Sequence, residues 1–145
     1  MDPKDFLQIA KNLLRIDIPG NCRTAFNRSY YAAYNVGVYF LEGLEGADIR
    51  ISKGPGGHGE VSRYFQYSGM QDLKEAHQKL VNLYSDRINA DYRLSDKIVE
   101  KISNAKKAVR VAEDIITTID SHSSDSERKR ITKGIIDYKR KIEFP

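Results

Sequence analysis

Between Ile98 and Ile119 the apolar residues Ile98, Ile102, Ala105, Val109, Ala112, Ile116 and Ile119 follow one another in alternating steps of four and three. Such steps return to one side of an α-helix, whereas a strand would need its apolar residues at every second position. The stripe is narrow and heptad-like, the pattern of a helix that packs lengthwise against others in a bundle. On its other side stand Lys97, Lys101, Lys106, Lys107 and Arg110. They read either as a solvated face or as a track for phosphates.

The remainder of the chain is patterned in the same way, and no stretch alternates convincingly. A first helix is expected from Asp2-Pro3, with Phe6, Ile9, Leu13 and Ile16 on its apolar side, until Pro19-Gly20 stops it. Asn21 is placed to cap a long second helix, CRTAFNRSYYAAYNVGVYFLEGL. A glycine-rich loop through KGPGGHG follows, then a short helix GEVSRYFQYSG and a fourth helix QDLKEAHQKLVNLYSDRINADY. Ser95 is the expected cap of the fifth helix. These readings predict an all-α fold, an up-and-down bundle of four to five helices over residues 1–120. Residues 121–145 form a polar linker, SHSSDSE, and a basic segment that reads as a sixth helix, an arm or a frayed end.

A chain of 145 residues is long enough to bury a core without disulfides or a metal. Its single cysteine, Cys22, allows no internal disulfide and fits a reducing compartment. The start, MDPKDFLQ, lacks the basic flank of a signal peptide, and no apolar run is long enough to cross a membrane. The expectation is a cytoplasmic protein without a membrane partner. A net charge of +4 permits an anionic partner without requiring one. The glycine stretch lacks the lysine and hydroxyl residue of a P-loop, and no cysteine or histidine spacing suits zinc. Neither a cofactor nor a metal is expected.

Two helices carry more than a bundle needs. The second places Phe26, Tyr30, Ala33, Gly37, Phe40, Leu41 and Leu44 on one face. Its reverse side shows Arg28, Tyr31, Asn35, Val38 and Tyr39 where charges would suit water. A helix apolar or aromatic around most of its circumference is covered on both sides, by a second copy in a homodimer or by the rest of its own chain. In the fourth helix the stripe Leu73, Ala76, Leu80 and Tyr84 runs on into Arg87 and Asp91. A guanidinium on a buried stripe needs a partner, because an unpaired buried charge is costly. Arg87 and Asp91 are thus either a structural ion pair or an arginine held ready to bind phosphate.

The segments RTAFNRSYYAAYNVGVYFL, GGHGEV and RINADY, in this order, resemble the HEPN superfamily of small α-helical proteins over about residues 5 to 120. The likeness is to the short stand-alone members often encoded beside minimal nucleotidyltransferases or other toxin–antitoxin and defence genes. It implies a helical bundle that dimerises around a cleft, and for many members a metal-independent ribonuclease. Arg87 falls on the arginine of the family's motif. The motif's histidine is absent, since positions 91 to 93 read Asp-Tyr-Arg, a variant also found among stand-alone members.

His77 lies about 15 Å along the helix from Arg87, too far to share one phosphate. His58, in a loop free to fold toward another helix, is either a base for a ribose hydroxyl or a helix-entry residue with a local hydrogen bond. His122 is assigned no role. The resemblance therefore implies Arg87, Asp91, Tyr92 and His58 as catalytic residues, with Arg28, Tyr31 and Asn35 as phosphate contacts. Tyr92 is a donor only, since a phenol with a pKa near 10 is a poor base at pH 7. A non-catalytic module that binds a nucleotide, a nucleic acid, or a nucleotidyltransferase or antitoxin partner is the other reading.

Overall fold

A computed structural model describes residues 1–143, so the last two residues of the basic segment expected at 121–145 lie outside the described residues. The described chain is all-helical and has six α-helices: α1 (Lys4–Leu13), α2 (Pro19–Glu42), α3 (Gly56–Gln66), α4 (Gln71–Tyr92), α5 (Ile102–Asp120) and α6 (Asp125–Glu143). The basic tail is therefore a helix, one beyond the four or five expected. Ser124 receives the Glu127 amide on its hydroxyl and the Arg128 amide on its carbonyl, which starts α6 as an N-cap does. Ile131 and Ile135 of that helix are fully buried. Tyr138 stacks on Tyr67, with ring centroids 4.0 Å apart.

α2 is the central helix and packs against α1, α3, α4 and α5. This explains its aromatic reverse side, most of which is half-buried within the chain. Arg28, Tyr31, Asn35 and Val38 are all partly covered, and Tyr39 is the one exposed member. α1 runs antiparallel to α5, registered by ion pairs of Lys4 with Asp120 and Lys11 with Glu113. No helix among the described residues is long and apolar enough to cross a membrane.

Helix ends depart from the sequence expectation, because the partners that cap them come from other elements. α1 stops at Leu13, before Ile16, and buries Leu7, Ala10 and Leu14 instead of the Phe6–Ile9–Leu13–Ile16 stripe. Both stripes have helical spacing, and small Ala10 gives its side the closer approach to a neighbour. α2 opens at Pro19, which needs no amide partner in a first turn. Asn21 does not cap it. Its Nδ2 instead donates to the carbonyls of Leu13 and Ile16, closing α1. Ser95 does not start α5 either. Asp96 accepts the Ile98 amide and begins a single 3-10 turn, Ile98–Glu100, and α5 follows from Ile102. Ile98 consequently points away from the core, while Ala105, Val109, Ala112, Ile116 and Ile119 are buried as the stripe predicts.

The end of α4 is held by Arg23 of α2. Its Nη1 donates to the carbonyls of Asn89, Ala90 and Arg93, and its Nη2 to those of Leu94 and Asp96. Nε and Nη2 also grip one carboxylate oxygen of Glu100, at 2.9 and 2.7 Å. The last carbonyls of a helix lack intrahelical partners, and here one guanidinium supplies them. Arg23→Ala leaves these oxygens unsatisfied in a partly buried setting. The expected loss of unfolding free energy is about 2–3 kcal/mol, measured by urea denaturation. Arg23→Lys should recover little of it, because an ammonium has no planar fork to span two turns of backbone.

Candidate functional site

α2 and α4 are antiparallel, and their facing residues meet just inside the end that Arg23 closes. Arg87 lies in the buried stripe of α4 with Leu80, Leu83 and Ala90, only 5% exposed. Its Nη1 donates to Asp91 Oδ2 at 3.2 Å, and the same oxygen accepts Asn27 Nδ2 at 3.0 Å. The rest of the guanidinium is enclosed by rings. Its central carbon stands 5.5 Å from the centroid of Tyr30, 5.4 Å from Tyr31 and 5.2 Å from Tyr84. The negative faces of aromatic rings replace part of the water a cation loses on burial. Burial works against the Arg87 charge, and Tyr31, the Asp91 hydrogen bond and the Asp91 charge outweigh it, raising its pKa.

His58 reaches this cage from the first turn of α3, which begins earlier than the expected loop boundary. The approach depends on Gly57. A Cβ at that position would strike the Ser52 carbonyl oxygen and come within 2.6 Å of the Tyr34 hydroxyl. Glu60 secures the same loop by accepting the Ser52 amide at 3.0 Å and its hydroxyl at 2.5 Å. His58 Nδ1 lies 2.6 Å from the Tyr30 hydroxyl. Its ring packs at 4.8 Å from Tyr34 and 5.1 Å from Tyr84, centroid to centroid. Burial, then the positive charge of Arg87, lowers the His58 pKa. Burial, reinforced by Tyr34, pushes that of Tyr30 well up. Both groups are therefore neutral near pH 7. In the tautomer with its proton on Nδ1, His58 donates to Tyr30 and keeps a basic lone pair on Nε2.

The cage is incompletely satisfied. Among the described residues Arg87 Nε and Asn27 Oδ1 are both buried without a hydrogen-bond partner, and both side chains converge on Asp91. One is a donor and the other an acceptor. Beside the rings is an opening of about 190 Å³ lined by Tyr30, Pro55, His58, Gly59, Ser62, Leu80, Val81 and Tyr84. Among the described residues no three His, Cys, Asp or Glu side chains gather as a metal site would need.

Of the residues expected from sequence, the structure thus brings Arg87, Asp91, His58 and Tyr31 together. Arg28 is not with them, since its guanidinium lies over Phe6 of α1 at 4.9 Å. Asn35 continues the Tyr31 face one turn on, where its Nδ2 donates to the Tyr31 carbonyl. Tyr92, the last residue of α4, is 71% exposed and makes no side-chain hydrogen bond among the described residues. Asn27, Tyr30, Tyr34 and Tyr84 belong to the cluster although sequence reasoning gave them no role there. The spacing of Asn27, Tyr31 and Tyr34 by four and three places them on one arc of α2, which was the available signal. His77 pairs with Ser62, and His122 is buried between Asp72 and Glu127, bonded to each.

No protein-family model, no curated protein and no solved structure matches this chain.

The electrostatics can be tested by NMR titration. His58 should titrate below the ordinary histidine value of about 6.5, and Arg87→Ala should raise it part of the way, because burial, the larger cause, persists. The sign for stability follows. A histidine whose pKa is depressed by folding adds stability above about pH 6.5, which is lost as pH falls below that value. Urea titrations at pH 7.5 and 5.5 should show this loss in the wild-type protein and less of it in His58→Gln.

Proposed function

We propose that the Arg87–His58 cluster is the phosphate-recognising site of an RNA-acting protein that cleaves without a metal, as the resemblance to HEPN proteins implies. The observation that carries this reading is the pairing of a permanently charged arginine, its Nε unpartnered, with a neutral histidine across shared tyrosines. These are the two functions that RNA transesterification requires. Arg87 would neutralise the scissile phosphate and the charge that grows on its oxygens. His58 Nε2 would take the proton of a ribose 2′-hydroxyl. The hydroxyl oxygen then attacks the adjacent phosphorus as the 5′-oxygen departs with a proton from solvent or a neighbouring donor. The products are a 2′,3′-cyclic phosphate and a 5′-hydroxyl. Arg87 and His58 come from one chain, so this chemistry does not itself require the cleft between two copies that the resemblance implies.

A second reading, a non-catalytic binding module for a nucleotide, a nucleic acid or a partner nucleotidyltransferase, draws on a different observation. Arg87 is bonded to Asp91 and does not line the opening, whose walls are largely ring and aliphatic surface. Such a recess suits a base or a partner's side chain better than a scissile bond. In this reading Tyr30 fixes the His58 ring by donating to Nδ1.

Digestion of mixed RNAs in excess EDTA, with the product ends analysed for cyclic phosphate, separates the two. The enzyme reading expects cleavage, reduced about 100-fold or more by Arg87→Ala and by His58→Ala. Both variants should melt cooperatively. Saturable nucleotide binding with no cleavage of any RNA would favour the module. A folded Arg87→Ala protein that cuts RNA at the wild-type rate would remove the arginine from the site.

A further inference from the structure

The charges at the two ends of α5 run against its dipole. Lys101 stands at its N-cap and Asp120 is its last residue, while Lys106, Lys107 and Arg110 lie further along, beyond the reach of the end dipole. Helices are stabilised by acids at the start and bases at the end, the order that α1 and α6 obey. Asp120, at the unfavourable end, is offset by Lys4. Among the described residues Lys101, Lys106 and Arg110 have no carboxylate within ion-pair distance. Exposed cations without an internal partner are free to meet an anion from outside the chain.

The antiparallel register of α1 and α5 brings a second set of cations to the same place. Lys11, Arg15, Lys106 and Arg110 border a groove of about 530 Å³ between the two helices, with Leu14, Val109 and Glu113 completing its lining. Glu113 is taken by Lys11, at 2.5 Å, which leaves Arg15, Lys106 and Arg110 without a carboxylate partner among the described residues. On α5 the two cations are one turn apart, about 6 Å along the axis, while Lys11 lies in the last turn of α1 and Arg15 in the turn that follows it. α5 and the end of α1 therefore present positive charge on both walls of one groove.

We propose that the groove between α1 and α5 is a docking surface for the phosphodiester backbone of a nucleic acid. Its chemistry favours a polyanion over an acidic protein segment. A docking helix needs apolar anchors, and the aliphatic residues of this floor, Leu14 and Val109, are 9% and 6% exposed. Nor, among the described residues, does any aromatic ring line the groove on which an unpaired base could stack. Attraction comes from charge alone, so binding is independent of sequence and driven by counterion release. The surface is distinct from the Arg87 cluster and does not rest on the catalytic reading.

The test is fluorescence anisotropy of a labelled RNA hairpin across a salt series, with the full chain. Wild-type affinity should fall steeply with salt. Lys106→Glu/Arg110→Glu should weaken binding about tenfold or more and flatten the log–log salt slope by about 2. Lys74→Glu/Lys133→Glu makes the same change in net charge at exposed positions outside the groove, and should stay within about twofold of wild type. Both doubles are surface changes, and thermal melts establish that each is folded. Lys106→Gln/Arg110→Gln, with half the charge change, should reproduce the loss in part. Equal weakening by the groove and control doubles would reduce the effect to net charge and overturn the proposal. So would absence of wild-type binding at low salt, or polyglutamate binding as tightly as RNA. Because anisotropy reads binding without turnover, RNA held in the groove but left uncut sustains this proposal while counting against the catalytic one. Cleavage that survives the groove double with unaltered binding does the reverse.

Discussion

The fold depends on one guanidinium satisfying the end of a helix that cannot satisfy itself. Arg23, partly buried at the start of α2, binds the final carbonyls of α4, those of the turn beyond it, and the Glu100 carboxylate that precedes α5. Three elements are thereby fixed to the central helix at a single point. The planar fork suits this task because its donors diverge in one plane and reach several acceptors at once. With the α4 end anchored, Asp91 lies in its last turn and Arg87 one turn further in, opposite Asn27 and Tyr30 of α2.

Arg23 and Arg87 sit in the same interface, Arg87 buried and Arg23 partly so, and they differ in what surrounds them. Arg23 finds oxygen at every nitrogen. Arg87 finds one carboxylate and three rings, and its Nε finds nothing. An arginine of the first kind is structural, since no donor is left for a ligand. One of the second kind keeps its charge in a low-dielectric setting with bonding capacity to spare, the condition under which an arriving anion is bound most strongly. Burial lowers the His58 pKa, and the same Arg87 charge lowers it further. The charge that would attract phosphate thus also helps to keep the neighbouring base unprotonated.

Much of the architecture was legible in the chain because helical periodicity is a local property. The α4 boundaries, the buried face of α2 and most of the α5 stripe follow from residue spacing. So does the place of Arg87 on a buried face, since Leu73, Ala76, Leu80 and Arg87 share one side of the helix. The failures were at helix ends and in the choice between competing faces. Asn21 and Ser95 look like caps, but Asn21 closes the preceding helix and Asp96 begins the following turn. Arg28 and Tyr31 are adjacent on the wheel, but one faces Phe6 of α1 and the other Arg87 of α4. The two stand about 60° apart around the helix, and packing sets the boundary between them.

What the sequence by itself determined is that the chain is helical, where its long helices run, and that a charged residue interrupts the apolar side of α4. These follow from the order of residues along one helix and from the cost of hiding an ion. Only the tertiary structure decided which partners the arginines meet. Arg23 reaches carbonyls nearly seventy residues away, His58 enters the tyrosine cage because Gly57 lets its loop close on Tyr34, and two sets of cations from α1 and α5 border one groove. Partnerships between segments distant in sequence depend on which helices become neighbours and in what register, and those are settled by the shape of the shared core rather than by any segment alone.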